Sequence, residues 1–211
     1  MKLPKGDYNR IVNEALEIRI RWRMTKQLMS FTEQRVDCMN FFAAPFFSTI
    51  LTSMNHSITA GVARLLDKRK KVISFPNLLQ IIKTDIRSEE DREKFTKIEA
   101  IFKELKRIAE PIVRRRHEII GHISRIETPT KVLVRDIDSF EKKLDALISE
   151  IASAFDFQQG GFNTTWDSWY DSEIGKYGDA NTIMEYLEEN PLWIAEQNRR
   201  SKTSSFLNTT A

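Results

Sequence analysis

Apolar residues return every three or four positions through most of this chain, and each such run predicts a helix. Ile11, Ala15, Ile18 and Trp22 form the first stripe, over residues 8–28, with Arg19, Arg23 and Lys26 on a second, polar stripe expected to be solvated. The longest run, residues 31–68, carries Phe47, Ile50, Leu51, Met54, Ile58, Val62 and Leu65 on one face, with Pro45 as a kink or break. Ser74 and Pro76 mark a third start, ahead of Phe75, Leu78, Leu79 and Ile82. Ser88 and Asp91 have capping-box spacing before Phe95, Ile98, Phe102 and Leu105. This fourth helix is predicted to run to about Ala109, because Pro111 lacks an amide hydrogen and biases Glu110 away from helical angles; a kink or a fresh helix start is expected there. After the connector ETPTKVLV, Asp138 and Glu141 repeat the capping spacing, and Phe140, Leu144, Leu147, Ile151 and Phe155 make the sixth stripe.

The periodicity then stops. Residues 1–157 read as an up-and-down helical bundle, and residues 158–211 as a loop-rich extension with a short helix near 181–198, interrupted by Pro191, and a polar tail expected to be disordered. Trp166, Trp169 and Tyr170 are expected to pin that extension onto the bundle. With 7 Gly and 6 Pro in 211 residues and 41% of them apolar, the composition suits long helices with few turns, so the fold class is all-α.

Cys38 is the single cysteine, which excludes an intramolecular disulfide framework, and no CxxC or HExxH spacing offers a metal site. No P-loop, dinucleotide fingerprint or nucleophile elbow occurs, so no cofactor is expected. The N-terminus has no apolar signal core and FFAAPFF is too short to span a bilayer, which gives the expectation of a cytoplasmic protein without a membrane partner. A net charge of +3 permits a nucleic-acid partner without demanding one, so the position of the charges matters more than their sum. The run KRKK, residues 68–71, reads as a solvated helix end that can also add phosphate contacts, and His56 as an ordinary surface residue.

The segment RRRHEIIGH, Arg114 to His122, departs from that plain picture by placing three arginines and two of the three histidines beside an apolar stripe. On a regular wheel of 100° per residue, Ile108, Ile112, Ile119, Ile123 and Ile126 share a narrow arc, His122 and Arg116 lie on its opposite edges, Arg115 lies on the side of His122, and His117 projects from the far face. Cations bordering a packing stripe are half-buried and need an anionic partner. A carboxylate or a phosphate satisfies that need equally well.

Arg116-His117, followed four residues later by His122, resembles the R-[N/D/H]-xxxx-H motif of the HEPN superfamily of helical bundles, many of them ribonucleases. FFAAPFFSTILTSMNHSITAGVARLLDKRKKVISFPNLLQII, with the element Arg64-Leu65-Leu66-Asp67, resembles the abortive-infection, AbiU-type branch, and the resemblance spans about residues 8–155. His117 stands where Asn or Asp is commoner, and Gly121 where Ala is frequent. The resemblance implies a metal-independent endoribonuclease in which two protomers pair and share a cleft. It makes Arg116, His122 and His117 the catalytic candidates, with Arg114, Arg115 and Arg125 on RNA phosphates, and makes RNA, a second copy of the chain and a cognate antitoxin the expected partners. Arg115 rivals Arg116 for the arginine role. The alternatives are a non-catalytic HEPN-like protein that binds nucleotide or RNA, and a structural helical interaction protein whose arginines are internally paired.

Overall fold

The computed structural model describes residues 5–29, 32–121, 131–155 and 180–208 of the 211. Every regular element among them is helical: α1 (Lys5–Met29), α2 (Glu33–Leu65), α3 (Phe75–Thr84), α4 (Glu89–Arg115), a wide π-helical turn (Arg116–Gly121), α5 (Val134–Ala154), α6 (Ala180–Glu188) and α7 (Pro191–Asn208). The all-α class expected from the periodicity is therefore what forms.

The chain divides into two compact units, Met1–Trp22 with Met54–Asn163, and Arg23–Ser53 with Thr164–Ala211. The sequence reading draws its boundary near residue 157; these units instead each take part of α1 and part of α2. The first unit is held by one apolar core. Ile11, Ile18, Ile58, Val62, Leu65, Phe75, Ile82, Ile98, Leu105, Ile112, Phe140 and Leu147 are all essentially inaccessible, and burying side chains of this size contributes on the order of 1.5–3 kcal/mol each. All of these positions lie on the stripes quoted above.

Gly61 lets α2 approach α1 closely: a Cβ there would lie 2.8 Å from Glu14 Oε1 and 2.8 Å from Ile18 Cγ1. Glu14 is the flexible end of a side chain, but Ile18 is buried and has nowhere to retreat. Gly61→Val is expected to lower stability by about 1–3 kcal/mol through overpacking. In a urea titration this appears as a lower midpoint at constant slope, and an unmoved midpoint would contradict the close approach.

Pro45 does distort α2, and the irregular backbone falls two residues earlier, at Ala43, with φ −162° and ψ 63°. The Ser88 hydroxyl accepts the Asp91 amide at 3.0 Å, as its spacing predicts. Three expectations fail. Arg19 is not a solvated cation: its Nε donates to Glu141 at 3.2 Å and its guanidinium also pairs with Asp145, so α1 and α5 are tied by charge as well as by packing. Helix α4 does not break at Pro111 but continues to Arg115, tolerating the missing amide hydrogen in its interior. And α5 begins at Val134, where the Leu133 amide donates to Asp136 Oδ2 at 2.8 Å; Asp138, the predicted cap, instead accepts the Trp22 indole N–H at 2.7 Å.

In the second unit, Leu28, Cys38, Met39, Phe47, Ala180, Met184 and Trp193 are buried. The Arg35 guanidinium is only 9% exposed as a residue and donates to Glu188 Oε1 at 3.0 Å, Asn181 Oδ1 at 2.9 Å and the Gln27 carbonyl at 2.5 Å, so its buried charge is paired and its donors are used. The helix expected near 181–198 is interrupted at Pro191 as predicted, with α6 ending at Glu188. Pro191 opens α7 at the first turn, with Asn190 Oδ1 accepting the Leu192 amide at 3.0 Å, and α7 runs on to Asn208 through the segment expected to be a disordered tail. Glu196 pairs with both Arg199 and Arg200 one turn on, which favours helix where composition alone suggested none. The Trp166, Trp169 and Tyr170 cluster lies outside the described residues.

Candidate functional site

Helix α4 delivers the segment that the sequence singles out. Its last turn ends at Arg115, the Arg116 amide donates to both the Ile112 and Val113 carbonyls, and the chain then widens into the π turn of Arg116–Gly121. A π turn bonds i to i+5 and so advances each residue by less than 100°. The edges assigned to Arg116 and His122 on a regular wheel therefore do not carry over to this segment. Such turns are uncommon and concentrate where a helix is bent to a task.

The three arginines are not equivalent. Arg114 is exposed and pairs with Glu110 one turn earlier on its own helix, an ordinary surface ion pair. Arg115 and Arg116 are half-buried, as cations bordering a stripe should be, and His117 is exposed. His122 and Arg125 lie outside the described residues, so the convergence of Arg116 with His122 rests on the sequence.

The charge of Arg116 acts on a loop whose polar side chains the periodicity alone did not mark. After α2 ends at Leu65, the chain crosses to α3 through a loop held by its own polar groups. The Ser74 hydroxyl, almost fully buried, donates to the Asp67 carbonyl at 2.6 Å, and the Asn77 amide donates to the Arg69 and Val72 carbonyls at 2.8 and 2.6 Å. On this loop Asp67 faces Arg69 in a fork: the Arg69 Nε donates to Oδ2 at 2.9 Å and its NH2 to Oδ2 at 2.6 Å, while the Arg69 backbone amide reaches Oδ1 at 2.9 Å. The Arg69 hydrogen bonds hold the Asp67 carboxyl below its usual range, helped by the charges of Arg69 and of Arg116. The Asp67 charge is thus present at and below neutral pH, and as a depressed acid its contribution to stability is lost only as the pH falls through the carboxylate range.

The Arg64–Asp67 element was legible as a family resemblance, and the Asp-x-Arg spacing of 67 and 69 was the available local signal. What the sequence could not give is that Arg116, forty-nine positions away, lies close enough for its charge to act on Asp67. The KRKK run is not a helix end but part of this loop, with Lys68, Arg69, Lys70 and Lys71 all exposed. Chemically, the loop offers a guanidinium fixed on one carboxylate, and the start of the widened turn a half-buried guanidinium, donors suited to an oxyanion such as a phosphodiester. Among the described residues no group of three or more His, Cys, Asp or Glu is placed to hold a metal ion.

Residues 6–179 match the family model HEPN_AbiU2, described as AbiU2, which covers well over half of the chain. The chain belongs to the HEPN_AbiU2 family. No curated protein and no solved structure gives a match. Membership bears out the AbiU-type resemblance and extends it: the match reaches residue 179, and so takes in the Trp-rich segment that the sequence reading had left unassigned. As a HEPN_AbiU2 protein with an all-α fold, the chain carries a domain associated with an abortive-infection or ribonuclease-like role. No helix among the described residues is long and apolar enough to cross a membrane.

Proposed function

We propose that this HEPN_AbiU2 protein is an endoribonuclease that cuts single-stranded RNA by attack of a 2′-hydroxyl, without a metal ion, at a cleft shared by two copies of the chain. The observation that carries the proposal is the state of Arg116: a half-buried guanidinium at the junction of α4 and the π turn, whose charge acts on an Asp67 carboxylate that Arg69 already engages. A cation in that setting keeps donors to offer, and a phosphate is the anion that fits them.

In this reading the 2′-oxygen loses its proton to a base, forms a bond to the adjacent phosphorus, and the bond from phosphorus to the 5′-oxygen breaks. The leaving 5′-oxygen takes up a proton, and the products are a 2′,3′-cyclic phosphate and a 5′-hydroxyl. A histidine titrates near neutrality and can serve at either end, which is the role given to His122. Arg116 stabilises the negative charge that grows on the non-bridging oxygens, because its fork is fixed and always charged. The exposed His117 orients the strand, and Arg115 and Arg125 contact flanking phosphates. Two copies of the chain would bring two such segments together. A toxin or abortive-infection effector restrained by a cognate antitoxin is the setting proposed for the activity.

The test is direct. Pure protein incubated with an end-labelled oligoribonucleotide, with and without EDTA, should yield fragments ending in a cyclic phosphate at equal rates in both. Loss of cleavage in EDTA would refute the metal-free chemistry. Salt-sensitive retention of intact RNA would identify a binding protein instead.

A further inference from the structure

Lys68, Arg69, Lys70 and Lys71 are all exposed, but the structure treats one of them differently. Among the described residues the three lysines make no hydrogen bond, whereas the Arg69 guanidinium is locked to Asp67 through Nε and NH2 although its side chain is 79% exposed. A guanidinium has five N–H donors, and Asp67 occupies only the edge formed by Nε and NH2. The opposite edge, around NH1, is left to solvent. The loop beneath is fixed as well, by Ser74 to the Asp67 carbonyl, by Asn77 to two carbonyls, and by the Val72 amide to the Arg69 carbonyl at 3.1 Å. An exposed arginine ordinarily pays rotamer entropy when it binds; one already held in place has lost that freedom in advance.

Asp67 is the anchor of this arrangement, since it holds the Arg69 guanidinium and the Arg69 backbone amide on one fixed loop. We propose that Arg69 is a second phosphate-binding residue of this protein, besides Arg116, taking a phosphodiester of the bound strand on its open edge, with Asp67 as the positioning residue that fixes the direction of its guanidinium. The proposal rests on the reading of the protein as one that binds RNA. It separates Arg69 from its lysine neighbours, which add diffuse charge without a fixed direction.

The test measures binding apart from cleavage, with the full chain and a single-stranded 2′-O-methyl oligoribonucleotide, which has no free 2′-hydroxyl and cannot be cut by the proposed route. Plotting log Kobs against log salt, Arg69→Ala should reduce the steepness by about 0.7, the loss of one single-strand phosphate contact. Arg92→Ala, which removes an exposed arginine paired with Glu89 near the start of α4, should leave the steepness unchanged. Asp67→Asn should weaken binding although it removes a negative charge, because Arg69 is released from its fixed direction. An unchanged steepness in Arg69→Ala, or equal or tighter binding in Asp67→Asn, would overturn the proposal while the nuclease reading stood. No binding by the unaltered chain would remove the nuclease reading, and the second phosphate contact with it.

Discussion

His122→Ala is expected to slow cleavage of a single-stranded oligoribonucleotide by roughly 10²–10⁴-fold while the helical content and the unfolding midpoint stay where they are, the signature of a lost proton carrier. Arg116→Ala should cost on the order of 10²–10³-fold, as the loss of one donor to a developing oxyanion does. Arg116→Lys keeps the charge but not the forked donors, so it should restore part of the rate and not all of it. Single-turnover rates together with thermal melts of the same samples decide the matter. A merely structural Arg116 would show the reverse pattern, with a lower melting temperature and an unaltered rate per folded molecule. Full activity in His122→Ala would remove that residue from the mechanism.

The second large effect lies away from the chemistry. Trp193 is 1% exposed, its ring centroid lies 5.6 Å from that of Phe41, and the Arg200 guanidinium stands 5.9 Å from its ring. Trp193→Ala removes the largest fully buried side chain among the described residues, and truncations of this kind cost about 3–5 kcal/mol. Urea unfolding followed by circular dichroism should show that loss, centred on the unit formed by Arg23–Ser53 and Thr164–Ala211. A loss below about 1 kcal/mol would mean that the ring does not sit in a packed core.

Why Trp193 escaped the sequence reading shows where that reading stops. Stripes that repeat over four or five turns, such as Ile11 to Trp22 and Phe140 to Ile151, were legible because each turn adds evidence, and these residues are buried as expected. Trp193 sits in a short stretch between Pro191 and a run of charges, where the apolar residues are too few to set a period. The start of α5 was misplaced for a related reason. Asp138 has the spacing of a cap, but its partner is the indole of Trp22, 116 positions earlier, and no local pattern reveals a partner at that distance.

At the candidate site the sequence picked out the right segment and could not rank its members. Arg114, Arg115 and Arg116 are identical in type and adjacent, so only the fold could show that Arg114 answers to Glu110 while the charge of Arg116 acts on Asp67. The wheel that assigned edges to Arg116 and His122 assumed regular winding, and the winding changes at Arg116. The acidic member of the group, Asp67, was visible only as part of a family element, since its role depends on which helix end the loop returns to.

The wide turn at Arg116–Gly121 also makes residue number, and not residue type alone, a determinant of this segment. A chain one residue shorter there would close into ordinary winding, and the side chains that follow the deletion within the turn would take new azimuths with no change in the identity of any of them. Sequence length between the cation and the following histidine is in that sense a tuning parameter, and indels in this stretch should be far less tolerated than substitutions on its exposed face.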